Sequence, residues 1–324
     1  MEPTEHPPSD GTVTVRSLTK HFGTVRAVHD LSLDVLPGRV TGFLGPNGSG
    51  KTTTLRMILG LTTPTSGTAT IGGVPYATLR QPLRTVGAAL EATSFHPGRT
   101  GLDHLRTYAP LAGATDQRCR DLGDLVGLSA AGNRRVGGYS LGMRQRLALA
   151  TTLLGDPRVL LLDEPANGLD PEGIRWLRGF LRHLASEGRT VLVSSHMLSE
   201  IQQSVDDVVI IARGQLVHAS PMAGLDALSA PRIHLTSPDT DALAALVKLQ
   251  GWDVETTDDG RTVVVRGTTT SQVGSAAHAA GLEVHGLTDR SENLEDLFLR
   301  MIAPPGDPVL DHREPGSTPT GVDA

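Results

Sequence analysis

The chain has 324 residues, a formal net charge of −6, and 29 basic against 35 acidic side chains. That length leaves room for a full core and a second small domain, and the acidic balance argues against a nucleic-acid partner. A single cysteine, Cys119, gives no disulfide framework and nothing that points to an oxidising compartment. No apolar run approaches the roughly 18 residues that would span a bilayer, so carrying a solute across a membrane would fall to another chain.

Residues 1–11, MEPTEHPPSDG, are polar and proline-rich with no apolar signal core, and read as a disordered leader. Alternation in Thr12–Leu18 and Ser32–Leu36 predicts an antiparallel sheet. The apolar run Val40–Leu44 then leads into Gly45-Pro46-Asn47-Gly48-Ser49-Gly50-Lys51-Thr52, followed by a helix-like run from Thr53 to Leu59. The pattern G-x-x-x-x-G-K-[ST] is matched at every fixed position, in the strand–loop–helix setting that it requires. Backbone N–H groups of such a loop wrap a polyphosphate, and the helix N-terminus adds positive potential. Gly45, Gly48 and Gly50 allow the close backbone approach, Lys51 reaches the β/γ-phosphates, and the Thr52 hydroxyl is suited to Mg²⁺; alone, the loop says only that a nucleotide is bound. Only three lysines occur, Lys20, Lys51 and Lys248, so background frequency does not account for one in this loop.

Residues 91–135 read as a mostly helical insertion. Val136–Ala150 is a glycine-rich turn opening an amphipathic helix with Leu147 and Leu149 among polar residues, and Cys119 and Tyr139 read as packing. Val159-Leu160-Leu161-Leu162 predicts a buried parallel strand ending in Asp163 and Glu164. Asp163 would hold Mg²⁺ through water, and Glu164 would polarise the attacking water; a strand ending in a solvated acidic turn is the plainer alternative. A second core strand spans Thr190–Val193, and Val208–Ile211 with the Arg213-Gly214-Gln215 turn predicts a closing hairpin.

After Ser220 the pattern runs β-α-β-β-α-β through Ile233–Thr236, Asp241–Leu249, Trp252–Thr256, Thr262–Arg266, Ser271–Ala280 and Leu282–Leu287. It predicts a small ferredoxin-like α/β unit, then an amphipathic helix at Asn293–Met301. The domain plan is therefore a leader 1–11, an ATPase domain 12–219, an accessory domain 220–303 and a disordered tail 304–324.

The order GPNGSGKT, YSLGM (Tyr139–Met143), LLLLDEP, NGLD (Asn167–Asp170) and His196 resembles an ABC-type ATPase subunit. DEPANGLDPEGI with VLVSSHMLSEI is similar to the drug and antibiotic exporter branch, that of the bacitracin and daunorubicin resistance ATPases. The resemblance covers residues 12 to about 218. It implies a P-loop NTPase fold of ABC type, with an antiparallel β subdomain and a helical signature subdomain. Within that fold it implies an adenine-stacking Phe22, a switch histidine at His196, a signature formed by Ser140, Leu141, Gly142 and Met143 acting on the opposite subunit's ATP, and a D-loop at Asp170. Thr53 follows the phosphate loop into its helix. Glu91 occupies the place of the usual Mg²⁺-sensing Gln. Phe22 as a core aromatic, His196 as a structural histidine and Glu91 as a solvated loop acid are the alternatives.

This signature departs from the usual LSGGQ at Leu141 and Met143. The resemblance further implies a peripheral protein on the cytoplasmic face of the membrane, which binds and hydrolyses ATP as one of a pair, a homodimer in the simplest case. It would serve separate transmembrane permease subunits docked near residues 91–105. Soluble ABC ATPases of DNA repair carry long coiled-coil insertions, and those of translation carry two ATPase domains; this chain has neither.

Overall fold

In a computed structural model, residues 11–90, 95–228, 232–257, 260–289 and 294–303 are described. The leader, the tail, Glu91 and Asn293 lie outside them. In chain order the first half contains β1 (Val13–Phe22), β2 (Val25–Val35), β3 (Val40–Leu44), α1 (Lys51–Ile58), β4 (Ser66–Ile71), α2 (Pro82–Thr85), β5 (Val86–Ala89), α3 (Gly101–Ala112), α4 (Asp116–Leu125) and α5 (Leu141–Thr152). Then come β6 (Val159–Leu162), α6 (Pro171–Ser186), β7 (Thr190–Ser195), α7 (Leu198–Ile201), β8 (Asp207–Ala212), β9 (Gln215–Pro221) and α8 (Met222–Leu228).

Strands β3, β6 and β7 are buried at every residue, as expected where both faces of a parallel sheet are covered. They belong to a six-stranded sheet of order β5-β6-β7-β3-β8-β9, parallel except for the closing β8–β9 hairpin. Successive side chains point to opposite faces, and the two faces feed two cores. Leu44, Leu160, Leu162, Val191, Val193, Val208 and Ile210 join the core built with helices α3 to α6. Phe43, Val159, Leu161, Leu192, Val209 and Ile211 join the core shared with α1 and the antiparallel sheet β2-β1-β4. The antiparallel sheet is where the alternation in Thr12–Leu18 and Ser32–Leu36 predicts it, with β1 continuing to Phe22.

Helix α5 differs from expectation. Gln145, Leu147, Ala148, Leu149, Ala150 and Thr152 are all buried. A simple amphipathic stripe cannot bury Leu147 and Leu149 together, because two residues on a helix lie on nearly opposite sides. Both are covered because α5 packs against α3 and α4 on one side and β5 on another.

The C-terminal part contains β10 (Arg232–Thr236), α9 (Thr240–Gln250), β11 (Val254–Thr256), β12 (Thr262–Arg266), α10 (Thr270–Ala279), β13 (Gly286–Asp289) and α11 (Leu294–Ile302). Its antiparallel sheet runs β11-β12-β10-β13, the strand order of a split β-α-β unit. The last strand starts at Gly286 rather than Leu282, whose side chain is spent in this unit's own core with Ile233, Leu243, Val265 and Val273. Helices α8 and α11 do not join that core: Met222, Leu225, Leu297 and Phe298 belong to the large core, beside α7 and β8.

Candidate nucleotide site

The turn between β3 and α1 is shaped by close approaches. A β-carbon on Gly45 would lie 2.3 Å from Ile211 O and 2.5 Å from Ser49 Oγ. Gly50, at φ +106°, would place one 2.5 Å from Ala27 O. Both positions require glycine on steric grounds. Ser49 N donates to Pro46 O at 3.1 Å, Gly214 N donates to Ser49 O at 2.9 Å, and Gly45 N donates to Ser195 O at 3.3 Å. The loop is thereby tied to β7 and to the β8–β9 turn. Asn47 and Gly48 stay exposed, while Lys51, the first residue of α1, is buried.

The two carboxylates at the end of β6 meet this loop. Thr52 Oγ1 donates to Asp163 Oδ2 at 2.6 Å, and Ser194 Oγ donates to Asp163 Oδ1. The backbone N–H of Glu164 donates to the same Ser194 hydroxyl at 2.9 Å. Glu164 has φ +47°, a left-handed conformation that costs a non-glycine residue about 1 kcal/mol or more. That turn aims its side chain back at the loop. Lys51 Nζ lies 3.3 Å from Glu164 Oε1 and donates to Gly45 O at 2.7 Å. Asn167 Nδ2 donates to Glu164 Oε2 at 2.5 Å, and His196 Nδ1 is 3.1 Å from the same oxygen. Burial pushes the Glu164 carboxyl up, but the Asn167 amide, the Lys51 ammonium and His196 outweigh it and hold its pKa below the ordinary value. The solvated-turn alternative for this pair does not describe these contacts, whereas the single contact of His196 to Glu164 fits a satisfied structural histidine as well as a switch.

Lys51, Thr52, Asp163, Glu164 and His196 thus form one cluster. Ser194 and Asn167 belong to it and were not singled out by the sequence. Their signals were slight: a hydroxyl at the end of an apolar strand, and an amide inside a motif noted for its aspartate. The Thr52 hydroxyl and the Asp163 carboxylate are the hard oxygen donors that Mg²⁺ prefers. Among the described residues no group of three or more His, Cys, Asp or Glu side chains could hold a metal unaided, so an ion at Thr52 and Asp163 would take further oxygens from water or phosphate.

The remaining sequence-derived positions stand apart. Phe22, at the end of β1, is 51% exposed, with Lys20 Nζ 5.0 Å from its ring centroid; the core-aromatic alternative fails. Ser140 caps α5, its Oγ accepting from Met143 N at 3.2 Å, and Asp170 caps α6 through Gly173 N at 2.7 Å. Among the described residues no hydrogen bond joins Ser140 to Lys51, Thr52, Asp163 or Glu164. Leu141 is exposed on one side and lies against Gly168 on the other.

Residues 28–167 match the family described as ABC transporter, and residues 231–295 match a domain of unknown function, DUF8746. The bacitracin transport ATP-binding protein BcrA of Bacillus licheniformis is 35% identical over 90% of this chain and 97% of its own length. The chain belongs to the ABC transporter ATP-binding family. This ABC ATPase is also 35% identical to the uncharacterized ABC transporter ATP-binding protein YdbJ of Bacillus subtilis, over 88% of this chain and 94% of the relative. Its fold is that of a cassette solved as a dimer in a post-hydrolysis state with ADP and phosphate. The likeness there is 23% identity over 65% of this chain and 98% of that one, with a TM-score of 0.59.

Proposed function

We propose that this ABC ATPase drives export of an antibiotic, drug, peptide or lipid through separate permease subunits, as a pair of identical chains on the cytoplasmic face of the membrane. The observation that carries the reading is the joined cluster of Lys51, Thr52, Asp163, Glu164 and His196, with a signature on the same chain that does not reach it. A site split this way is completed by a second copy, and a twofold pair makes two. The likeness to a bacitracin transport ATP-binding protein, over 90% of this chain, supports transport and the class of solute.

In each site Lys51 and the N–H groups of Gly48–Thr53 hold the β/γ-phosphates, and Phe22 stacks on adenine. Glu164 orients the attacking water as its base, and His196 fixes the Glu164 carboxylate. Mg²⁺, held by Thr52 and Asp163, would neutralise charge developing on the phosphates. Ser140 and Gly142 of the opposite chain, at the start of α5, complete the γ-phosphate shell on closure; Leu141, Met143 and Asp170 shape the loops that bring them there. Glu91 is proposed to couple this site to the permease.

The docking surface is proposed near residues 91–105, beside the cleft between β5, α3 and α5 that Leu90, Phe95 and Tyr108 help to line. Residues 12–219 are proposed as the ATPase domain and 220–303 as an accessory domain held to it by α8 and α11.

The test is Glu164→Gln, which keeps the side chain's size and removes its charge. The variant should bind Mg-ATP, hydrolyse little, and form a dimer in ATP but not in ADP by light scattering. Adding Ser140→Arg should abolish the dimer. Near-normal hydrolysis by Glu164→Gln would remove Glu164 from the mechanism.

A further inference from the structure

The hairpin that carries Phe22 is anchored against the phosphate loop. A β-carbon on Gly50 would lie 2.5 Å from Ala27 O, and one on Gly214 would lie 2.8 Å from the same oxygen, so β2 passes close to both the loop and the β8–β9 turn. Phe22 pairs with Val25 where β1 turns into β2, and half of its surface is uncovered. Lys20 lies two residues before it, and alternate residues of a strand share a face. Its Nζ stands 5.0 Å from the centroid of the Phe22 ring and donates to Thr63 O at 2.7 Å. The flanking positions are tied to the same segment: His21 N donates to Thr65 Oγ1 at 3.0 Å, and Thr65 N donates to Thr19 O at 2.8 Å. That segment follows α1, the helix that begins with Lys51. A backbone carbonyl thus fixes the ammonium beside the ring, and the helix that starts at the phosphate loop leads to the carbonyl that fixes it.

A cation against an aromatic ring is attracted by the negative π-face. It occupies that face and leaves the other to a stacking partner. It also draws electron density away from the open face, which favours contact with an electron-rich purine.

We propose that Lys20 is a positioning residue for nucleotide recognition: pinned by Thr63, it holds the Phe22 ring and closes one of its faces, so that the base of ATP stacks on the other. The proposal rests on Phe22 being the platform for adenine. In this role the Lys20 charge acts on the ring and not on the phosphates.

Calorimetry of the full chain with two probes, ATP and inorganic tripolyphosphate, separates the base from the phosphates. Lys20→Met keeps most of the stem and removes the charge. It should weaken ATP binding about threefold while tripolyphosphate affinity and Tm stay close to native. Lys20→Arg, which retains a cation able to lie against the ring, should restore ATP affinity. In a Phe22→Ala background Lys20→Met should cause no further loss, because two residues that act through one contact are not additive. Equal weakening of both probes would make Lys20 a phosphate-binding cation and overturn the proposal. Unchanged ATP affinity in Lys20→Met, or losses that add in the double variant, would overturn it as well, and in those cases a weakened Phe22→Ala leaves the stacking reading standing. If Phe22→Ala binds ATP as tightly as the native chain, the stacking reading itself fails, and no role for Lys20 through that ring survives.

Discussion

Lys51 Nζ stands 3.3 Å from Glu164 Oε1, with the lysine 5% and the glutamate 22% exposed. The cation of the phosphate loop and the carboxylate that ends β6 are therefore one electrostatic unit, contributed by segments more than 100 residues apart in sequence. A phosphate arriving in the loop competes with Glu164 for the same ammonium. The charge change on binding is thereby felt directly at the group proposed to orient water.

Removing that cation should weaken nucleotide binding. A charge-assisted contact to phosphate is worth roughly 1.5–3 kcal/mol, so Lys51→Ala should lower ATP affinity by an order of magnitude or more. Isothermal calorimetry measures it, and unchanged affinity would dissociate this loop from the nucleotide.

The same pair fixes the sign of the pH response. The Glu164 pKa lies below its ordinary 4.5, and the proposed mechanism uses the ionised form. Activity that depends on Glu164 should be complete at neutral pH and fall only as pH drops through that lowered pKa. The kcat–pH profile should show no Glu164 limb near neutrality in the native chain. In Lys51→Ala, one of the charges holding the pKa down is gone and the Glu164 titration should move up.

Phe22 separates binding from stability. It is 51% exposed beside Lys20, so Phe22→Ala should leave the Tm close to native. Loss of an adenine-stacking ring, worth roughly 0.5–1.5 kcal/mol, should lower ATP affinity about three- to tenfold, and Phe22→Tyr should preserve it. A fall in Tm with no change in affinity would return Phe22 to a packing role.

His104 should make the fold acid-sensitive. It is 4% exposed between Phe95 and Tyr108, and its Nδ1 has no partner among the described residues. Burial, aided by Arg99, lowers its pKa from 6.5 to about 4. The unfolded chain therefore takes up a proton that the folded chain refuses. The stabilisation is full above pH 6.5 and is lost as pH falls from 6.5 toward 4, by about 1–2 kcal/mol at pH 5. Urea denaturation of His104→Phe should show a flatter decline between pH 7 and 5. An identical slope in the two proteins would place the ring in water.

Chemistry carried by neighbours in the chain was legible without coordinates. GPNGSGKT declares its glycines, lysine and hydroxyl within eight residues. The run Val159–Leu162 followed by two carboxylates declares both a strand and the pair at its end. The strand pattern after Ser220 anticipated the small sheet, but missed the start of β13, which lies at Gly286 rather than Leu282.

What the sequence by itself determined was this local inventory: a phosphate loop, a carboxylate pair, a signature and their order along the chain. Tertiary structure alone decided which of them touch. Ser194 serves both Asp163 and Glu164 because β7 lies beside β6 in the sheet; Asn167 holds Glu164 because the backbone at Glu164 turns left-handed; Leu141 rests on Gly168 because α5 and α6 share a core. Periodicity records which face of an element is apolar, and says nothing of which neighbour covers it. That choice is made by strand order and close packing, which bring residues distant in sequence within hydrogen-bond range.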